Sequence, residues 1–199
     1  MLSSAHRVSP LSDVSIQGRF GAEKGEPGVT LSVRHPVSIV TVMVRKGKAK
    51  AFSATLKEAC GLNTPTPGQS LSGKRAASHW CGADQFYVVA AGMAEGALYL
   101  ELKESLAGLA SCVDQSHGRV IIEIAGPRVR NVLAKGTPVD LHPSVFGPGQ
   151  CAMTQMAHVG VHLAQVGANA FELSVFRGFS ESFWEWLTEQ SEEFGYQVQ

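Results

Sequence analysis

The chain has 199 residues, 44% hydrophobic and 17% charged, with 17 Lys and Arg balancing 17 Asp and Glu. That length can bury the core of one domain or two small lobes, while a net charge of zero supplies no positive field to gather phosphates, which argues against nucleic acid or a membrane surface as a partner. So sparse a charge also leaves a surface poorer in solubilising groups than a free monomer prefers, which favours life inside a complex.

Residues 1–29 are rich in Ser, Gly and charge, with Gly18, Gly21, Gly25, Pro27 and Gly28 breaking any period. Such a segment buries too little apolar area to fold alone, and it reads as an extended N-terminal arm that either lies along a neighbouring chain or stays a free tail. The β-branched run Val37 to Val44 predicts a strand buried on both faces or at a subunit boundary. Lys48 to Cys60 predicts a helix with Ala51, Leu56 and Ala59 inward and Gly61 as its stop. After a loop holding two prolines, KRAASHW and QFYVVAA predict a hairpin around CGAD. A helix from Ala97 to Leu109, with Leu98, Leu102, Leu106 and Leu109 on one face, closes the first half.

The second half opens on VDQSHGRVIIEIAGPRVRNVLAKGTPVDLH, Val113 to His142. It predicts two paired strands about a tight turn, then a short helix opened by Pro127 and closed by Gly136 and Pro138. Strands over 152–159, 161–166 and 171–175 follow as an antiparallel set, and a helix runs from Ser180 to Phe194. At 100° per residue its inner face takes Phe179, Phe183, Trp186 and Leu187, whereas Trp184 lies about 160° from Trp186 and points outward. An outward tryptophan is either an interface anchor or an incidental surface residue under a loop. No apolar run approaches the roughly 20 residues that span a bilayer, and no leader pattern opens the chain, so the cytoplasm is the default compartment.

Candidate chemistry is thin. Cys60, Cys81, Cys112 and Cys151 form no C-x-x-C pair, the spacing that brings two donors to one zinc ion cheaply, and they read as free buried thiols. On a strand His158 and His162 would sit about 13 Å apart at roughly 3.3 Å per residue, too far for one metal ion. A turn at Gly160 would change that distance, but partly exposed sheet residues is the simpler reading. Asp114, Ser116 and His117 are adjacent, and neighbouring strand residues alternate sides, so they make no catalytic triad. His117 either bonds across a subunit boundary or caps the turn. Arg119, Arg128 and Arg130 are free to pair with carboxylates of a partner or of this chain. Apart from FGPGQ, Phe146 to Gln150, no glycine-rich stretch offers a phosphate cradle, and neither nucleotide-binding glycine motif occurs.

The order of a D-x-S-x-x-G-x-[VI] strand, a G-P-x-[AV]-R-x-[VL]-L helix and a looped exit, carried here by VDQSHGRV, GPRVRNVL and KGTPVDLHPSVF, resembles the folate-binding aminomethyltransferase domain of the glycine cleavage system. With FWEWL added, the chain is most similar to the gamma-subunit family of heterotetrameric sarcosine oxidase. The resemblance implies an α+β fold: two β-α-β-β-α-type lobes, residues 30–110 and 111–199, behind the arm of residues 1–29. It implies a non-catalytic, structural gamma subunit of an oxidase in sarcosine catabolism, which demethylates sarcosine to glycine with hydrogen peroxide and passes the one-carbon unit to tetrahydrofolate. Alpha, beta and delta subunits are the implied partners. FAD, FMN, NAD, zinc and tetrahydrofolate are then expected on those subunits and none on this chain. The aminomethyltransferase relatives hold a catalytic carboxylate on a glycine-rich hairpin, N-x-x-G-G-[IV]-x-x-D. The comparable stretch here, CAMTQMAHVGVHLAQVG, contains no Asp or Glu. No catalytic residue is therefore assigned, and Trp184, His117 and Arg119 are the candidate interface residues. Alternatives are a free-standing folate-dependent enzyme or iron–sulfur-assembly factor of the same fold, a plain scaffold, or a gamma-like subunit of an oxidase for another N-methyl amino acid.

Overall fold

The computed structural model describes residues 7–22 and 25–199; of the N-terminal arm, residues 1–6 and 23–24 lie outside the described residues. The first elements are β1 (Gly18–Phe20), β2 (Val29–Arg34), β3 (Val37–Val44), α1 (Ala49–Cys60), β4 (Ser70–Ser72), β5 (Ala77–Gly82), β6 (Gln85–Ala91), α2 (Ala97–Ser105) and β7 (Ala110–Asp114). There follow β8 (Arg119–Ala125), α3 (Val129–Ala134), β9 (Cys151–Met156), β10 (Val159–Gly167), β11 (Ala170–Phe176), α4 (Ser180–Ser191) and β12 (Tyr196–Val198). Short 3₁₀ turns, Arg177–Phe179 and Glu192–Phe194, flank α4.

These strands form two sheets, one ordered β1-β12-β2-β8-β11-β10-β9 and the other β4-β5-β6-β3-β7. The class is α+β, as the resemblance implies, and each half gains a closing strand. β3-α1-β5-β6-α2-β7 and β8-α3-β10-β11-α4-β12 are both split β-α-β-β-α-β units. In the second unit β2 is inserted between β8 and β12, antiparallel to the first and parallel to the second.

Strand alternation sorts side chains into three apolar layers. Val40 and Val42 of β3 and Phe86 and Val88 of β6 pack with Phe52 and Leu56 of α1 and Leu98 and Leu102 of α2. On the other sheet Val120, Ile122 and Ile124 of β8 join Val132 and Leu133 of α3 and Phe183, Trp184 and Leu187 of α4. The opposite faces meet through Val37, Ile39, Tyr87 and Val89 from one sheet and Ile121 from the other. The result is four layers, helix, sheet, sheet and helix.

Several expectations are corrected by this arrangement. β7 and β8 do not pair: β7 borders β3 in the smaller sheet and β8 lies between β2 and β11 in the larger. The Ser116 hydroxyl lies between them, accepting from the Ile39 amide at 3.0 Å and donating to the Ile39 carbonyl at 3.4 Å, which pins the crossing to β3. The β9–β10 turn falls at Ala157 and His158, with φ of 51° and 65°, not at Gly160. In α1 the buried face is Phe52 and Leu56, and Ala51 is exposed.

The described part of the arm lies along its own chain. Leu11 is fully buried in the core of the larger sheet, and β1 pairs with β12, Gly18 opposite Val198 and Phe20 opposite Tyr196. The Phe20 and Tyr196 rings stack at 5.2 Å. Where the chain enters β2, Gly126 packs against it with φ of 132°, and a Cβ there would stand 2.5 Å from the Gly28 carbonyl oxygen. The glycine of the G-P-x-[AV]-R motif thus permits a backbone crossing.

Candidate functional site

The sheet-to-sheet layer holds most of the buried polar chemistry. On β10, Val161 and Leu163 face the helices, so His162 faces the other sheet, where it meets His79 of β5 and Tyr87 of β6. The His79 and His162 ring centroids are 5.4 Å apart and nearly edge-on, and His162 lies 5.3 Å from the Tyr87 ring. His162 Nε2 donates to the Trp80 carbonyl at 3.2 Å, while His79 Nδ1 bonds the Ser70 hydroxyl at 2.7 Å. Arg119 of β8 lies between the Tyr87 and Phe176 rings, with its guanidinium carbon 4.8 and 4.1 Å from their centroids. At the layer's edge Arg34 of β2 pairs with Glu172 at 2.5 Å and reaches Glu123 at 3.7 Å.

Burial decides what these groups can do. Desolvation, reinforced by the Arg34 charge, lowers His79 to about 4. Desolvation and the neighbouring His79 hold His162 at about 3, against the Trp80 carbonyl that favours its protonated form. Both rings are therefore neutral at pH 7. Burial likewise lifts the Cys81 thiol to about 11 and the Cys151 thiol to about 12, so neither is a thiolate nucleophile at neutral pH. Cys60 and Cys112 are raised for the same reason, and all four cysteines are free. Among the described residues no three His, Cys, Asp or Glu side chains converge on a metal position.

The glycine and glutamine amides of the FGPGQ loop are bonded within the loop or to the neighbouring strand β10. Gly149 N donates to the Gln165 carbonyl at 2.9 Å, Gln150 N donates to the Gly147 carbonyl at 3.1 Å, and the Gln150 side chain accepts from Gly147 N. A phosphate cradle needs such amides pointing outward. The β9–β10 hairpin brings Gln155 and His158 to its exposed tip and buries His162, so the two histidines face different environments.

The three candidate interface residues separate. His117 is exposed and pairs with Glu95. Arg119 is buried within its own chain, between the two rings, because β8 turns it into the sheet-to-sheet layer. Trp184 is not outward: it is 4% exposed and packs in the core with Phe183 and Leu187. The helical wheel fails because Phe179 belongs to the preceding 3₁₀ turn and is 54% exposed, and because Ser180 and Ser191 are buried with their hydroxyls bonded to the Arg177 and Leu187 carbonyls. Counting from Ser180, the buried face runs 180, 183, 184, 187 and 191, and half-buried Trp186 sits at its flank against Phe183. Arg128 and Arg130 meet the rings of Phe194 and Phe171 rather than carboxylates.

An open groove of about 710 Å³ lies between the N-terminal segment and α4, lined by Val14, Ile16, Phe20, Trp184, Tyr196 and Val198, with Glu181 and Glu185 on its helix side. Sequence reasoning missed it because a segment judged unable to fold was given no surface; its signal was Val14 and Ile16 at strand spacing just before Phe20.

Residues 46–193 match the family model described as the sarcosine oxidase, gamma subunit family. The sarcosine oxidase subunit gamma of Corynebacterium sp. (strain P-1) is 30% identical over 195 residues, covering 96% of this chain and 93% of that one. Its counterpart from Arthrobacter sp. is 30% identical over 196 residues with the same coverage. Among solved structures, a chain of the heterotetrameric sarcosine oxidase from Corynebacterium sp. U-96, in complex with pyrrole 2-carboxylate, superposes with a TM-score of 0.83 at 27% identity over 94% of this chain and 96% of that chain. The glycine cleavage system aminomethyltransferase T of Bartonella henselae shares the fold, with a TM-score of 0.64 at 18% identity; 83% of this chain aligns with 46% of that one.

Proposed function

Because this chain belongs to the sarcosine oxidase gamma subunit family, we propose that it serves a heterotetrameric sarcosine oxidase as a structural subunit, supporting assembly while the oxidation proceeds on its partners. The observation that carries this reading is the inward use of its reactive groups. His79 and His162 are neutral, buried and bonded to Ser70 and Trp80, and the Cys81 and Cys151 thiols are held protonated. A general base must reach a substrate proton, and a nucleophile must be both exposed and ionised. The hairpin on which aminomethyltransferases carry a carboxylate ends here in Gln155 and His158.

On this reading the partners are alpha, beta and delta subunits, and FAD, FMN, NAD, zinc and tetrahydrofolate are bound there. Exposed His117, with its Glu95 partner, remains a candidate contact residue.

The test is co-expression of the chain with the other three subunits, followed by sarcosine-dependent hydrogen peroxide release and by visible spectroscopy and metal analysis of each separated subunit. His162→Gln and Cys151→Ser should leave kcat within about twofold in complexes that assemble. A flavin chromophore or stoichiometric zinc on this polypeptide, or a hundredfold fall in kcat with assembly intact, overturns the structural assignment.

A further inference from the structure

We propose that the groove between residues 14–20 and α4 seats a segment of a partner subunit that presents a large apolar side chain flanked by lysine or arginine. The inference rests on the subunit reading above and gives it a specific contact surface. Val14, Ile16 and Phe20 are 40%, 65% and 38% exposed within seven consecutive positions, and Phe179, at 54%, follows Gly178, which lines the groove. Scattered exposed apolar residues are ordinary, but a contiguous set above a floor of Trp184, Tyr196 and Val198 marks an interaction site. Its volume of about 710 Å³ accommodates several side chains.

Charge selects the occupant. Among the described residues Glu181 and Glu185 are the charged groups that line the groove, and no Lys or Arg lines it. Both are exposed, and among the described residues neither forms an ion pair. With Glu189 they make a ladder of carboxylates four residues apart, a spacing that repels along a helix, and α4 contains no Lys or Arg to relieve it. An apolar floor beside an anionic rim fits a segment whose apolar anchor carries cations on its flanks, because that combination covers Val14, Ile16 and Phe20 and neutralises Glu181 and Glu185 together.

A photo-reactive benzophenone amino acid in place of Ile16, in the co-expressed four-subunit complex, identifies the occupant after irradiation and peptide mapping. The expected product joins this chain to a partner peptide with Lys or Arg within a few residues of the linked site. Glu181→Lys with Glu185→Lys should weaken retention of the other subunits at least tenfold at low salt without lowering the melting temperature of the chain, whereas Leu100→Ser, on exposed α2 surface, should not. A cross-link to a second copy of this chain, a partner peptide without cations, no cross-link in an intact complex, or undiminished retention of the double variant overturns the proposal. If the parent chain fails to assemble with the other subunits, the subunit reading fails as well, so the two failures are distinguishable.

Discussion

His162 and His79 make the chain acid-labile one residue at a time. Held at about 3 and about 4, both lie below the ~6.5 of an unfolded imidazole, so the unfolded chain takes up protons that the native layer refuses. Their stabilising contribution is complete above pH ~6.5 and is lost as pH falls toward the folded values, at about 1.4 kcal/mol per pH unit for each ring. Glu172 acts in the opposite sense: burial raises its carboxyl despite Arg34, so its contribution fades as pH rises. The melting temperature should therefore be lower at pH 5 than at pH 7, with His162→Gln flattening the difference; a melt indifferent to pH in that range would show that the rings are open to protons. At the other core, Trp184→Ala should cost about 3–5 kcal/mol of stability, as removal of a buried large aromatic does. Half-buried Trp186 should cost clearly less on the same change, and denaturant midpoints of the two variants rank them.

Elements were more legible in the sequence than their neighbours. Strand alternation, the β-branched run of β3 and helix spacing located β3, α1, β5, β6, α2, β8 and α4 to within a few residues, although the buried faces of α1 and α4 differ from those the spacing predicts. Alternation says nothing about which strand lies beside which, and so β7 and β8, joined by a short turn, read as a hairpin. What separates them is a contact across 77 positions, Ser116 to Ile39, which no local period contains. Ser116→Ala should leave the Ile39 amide buried and unpaired, costing about 1–3 kcal/mol. A lowered urea midpoint with unchanged slope would confirm that the crossing is anchored there, and a midpoint equal to the parent's would remove the anchor from the account. The candidate site was illegible for a related reason. The groove is made by residues near 16, 184 and 196, and burial of two serines moved the face of α4 by enough to turn Trp184 from an outward residue into a floor.

At the scale of the molecule, sparse charge and the exposed apolar set along residues 14–20 predict that the chain self-associates when produced alone. Size-exclusion over a concentration series should show growing apparent mass for the solitary chain and a single species when the other subunits are co-expressed; a monodisperse monomer at all concentrations would argue for an independent domain. The larger sheet also has a history in time. β12 (Tyr196–Val198) sits between β1 and β2, so it fills a slot whose two walls, β1 (Gly18–Phe20) and β2 (Val29–Arg34), are synthesised well before it. Until then the outer edge of β2 carries unpaired amides and carbonyls, and β1 lacks the strand it pairs with among the described residues. Closing such distant pairings is slow, and an open edge invites the wrong strand. Between the synthesis of β2 and that of β12 the nascent sheet is thus unlatched, a vulnerable interval in which a chaperone has most to protect.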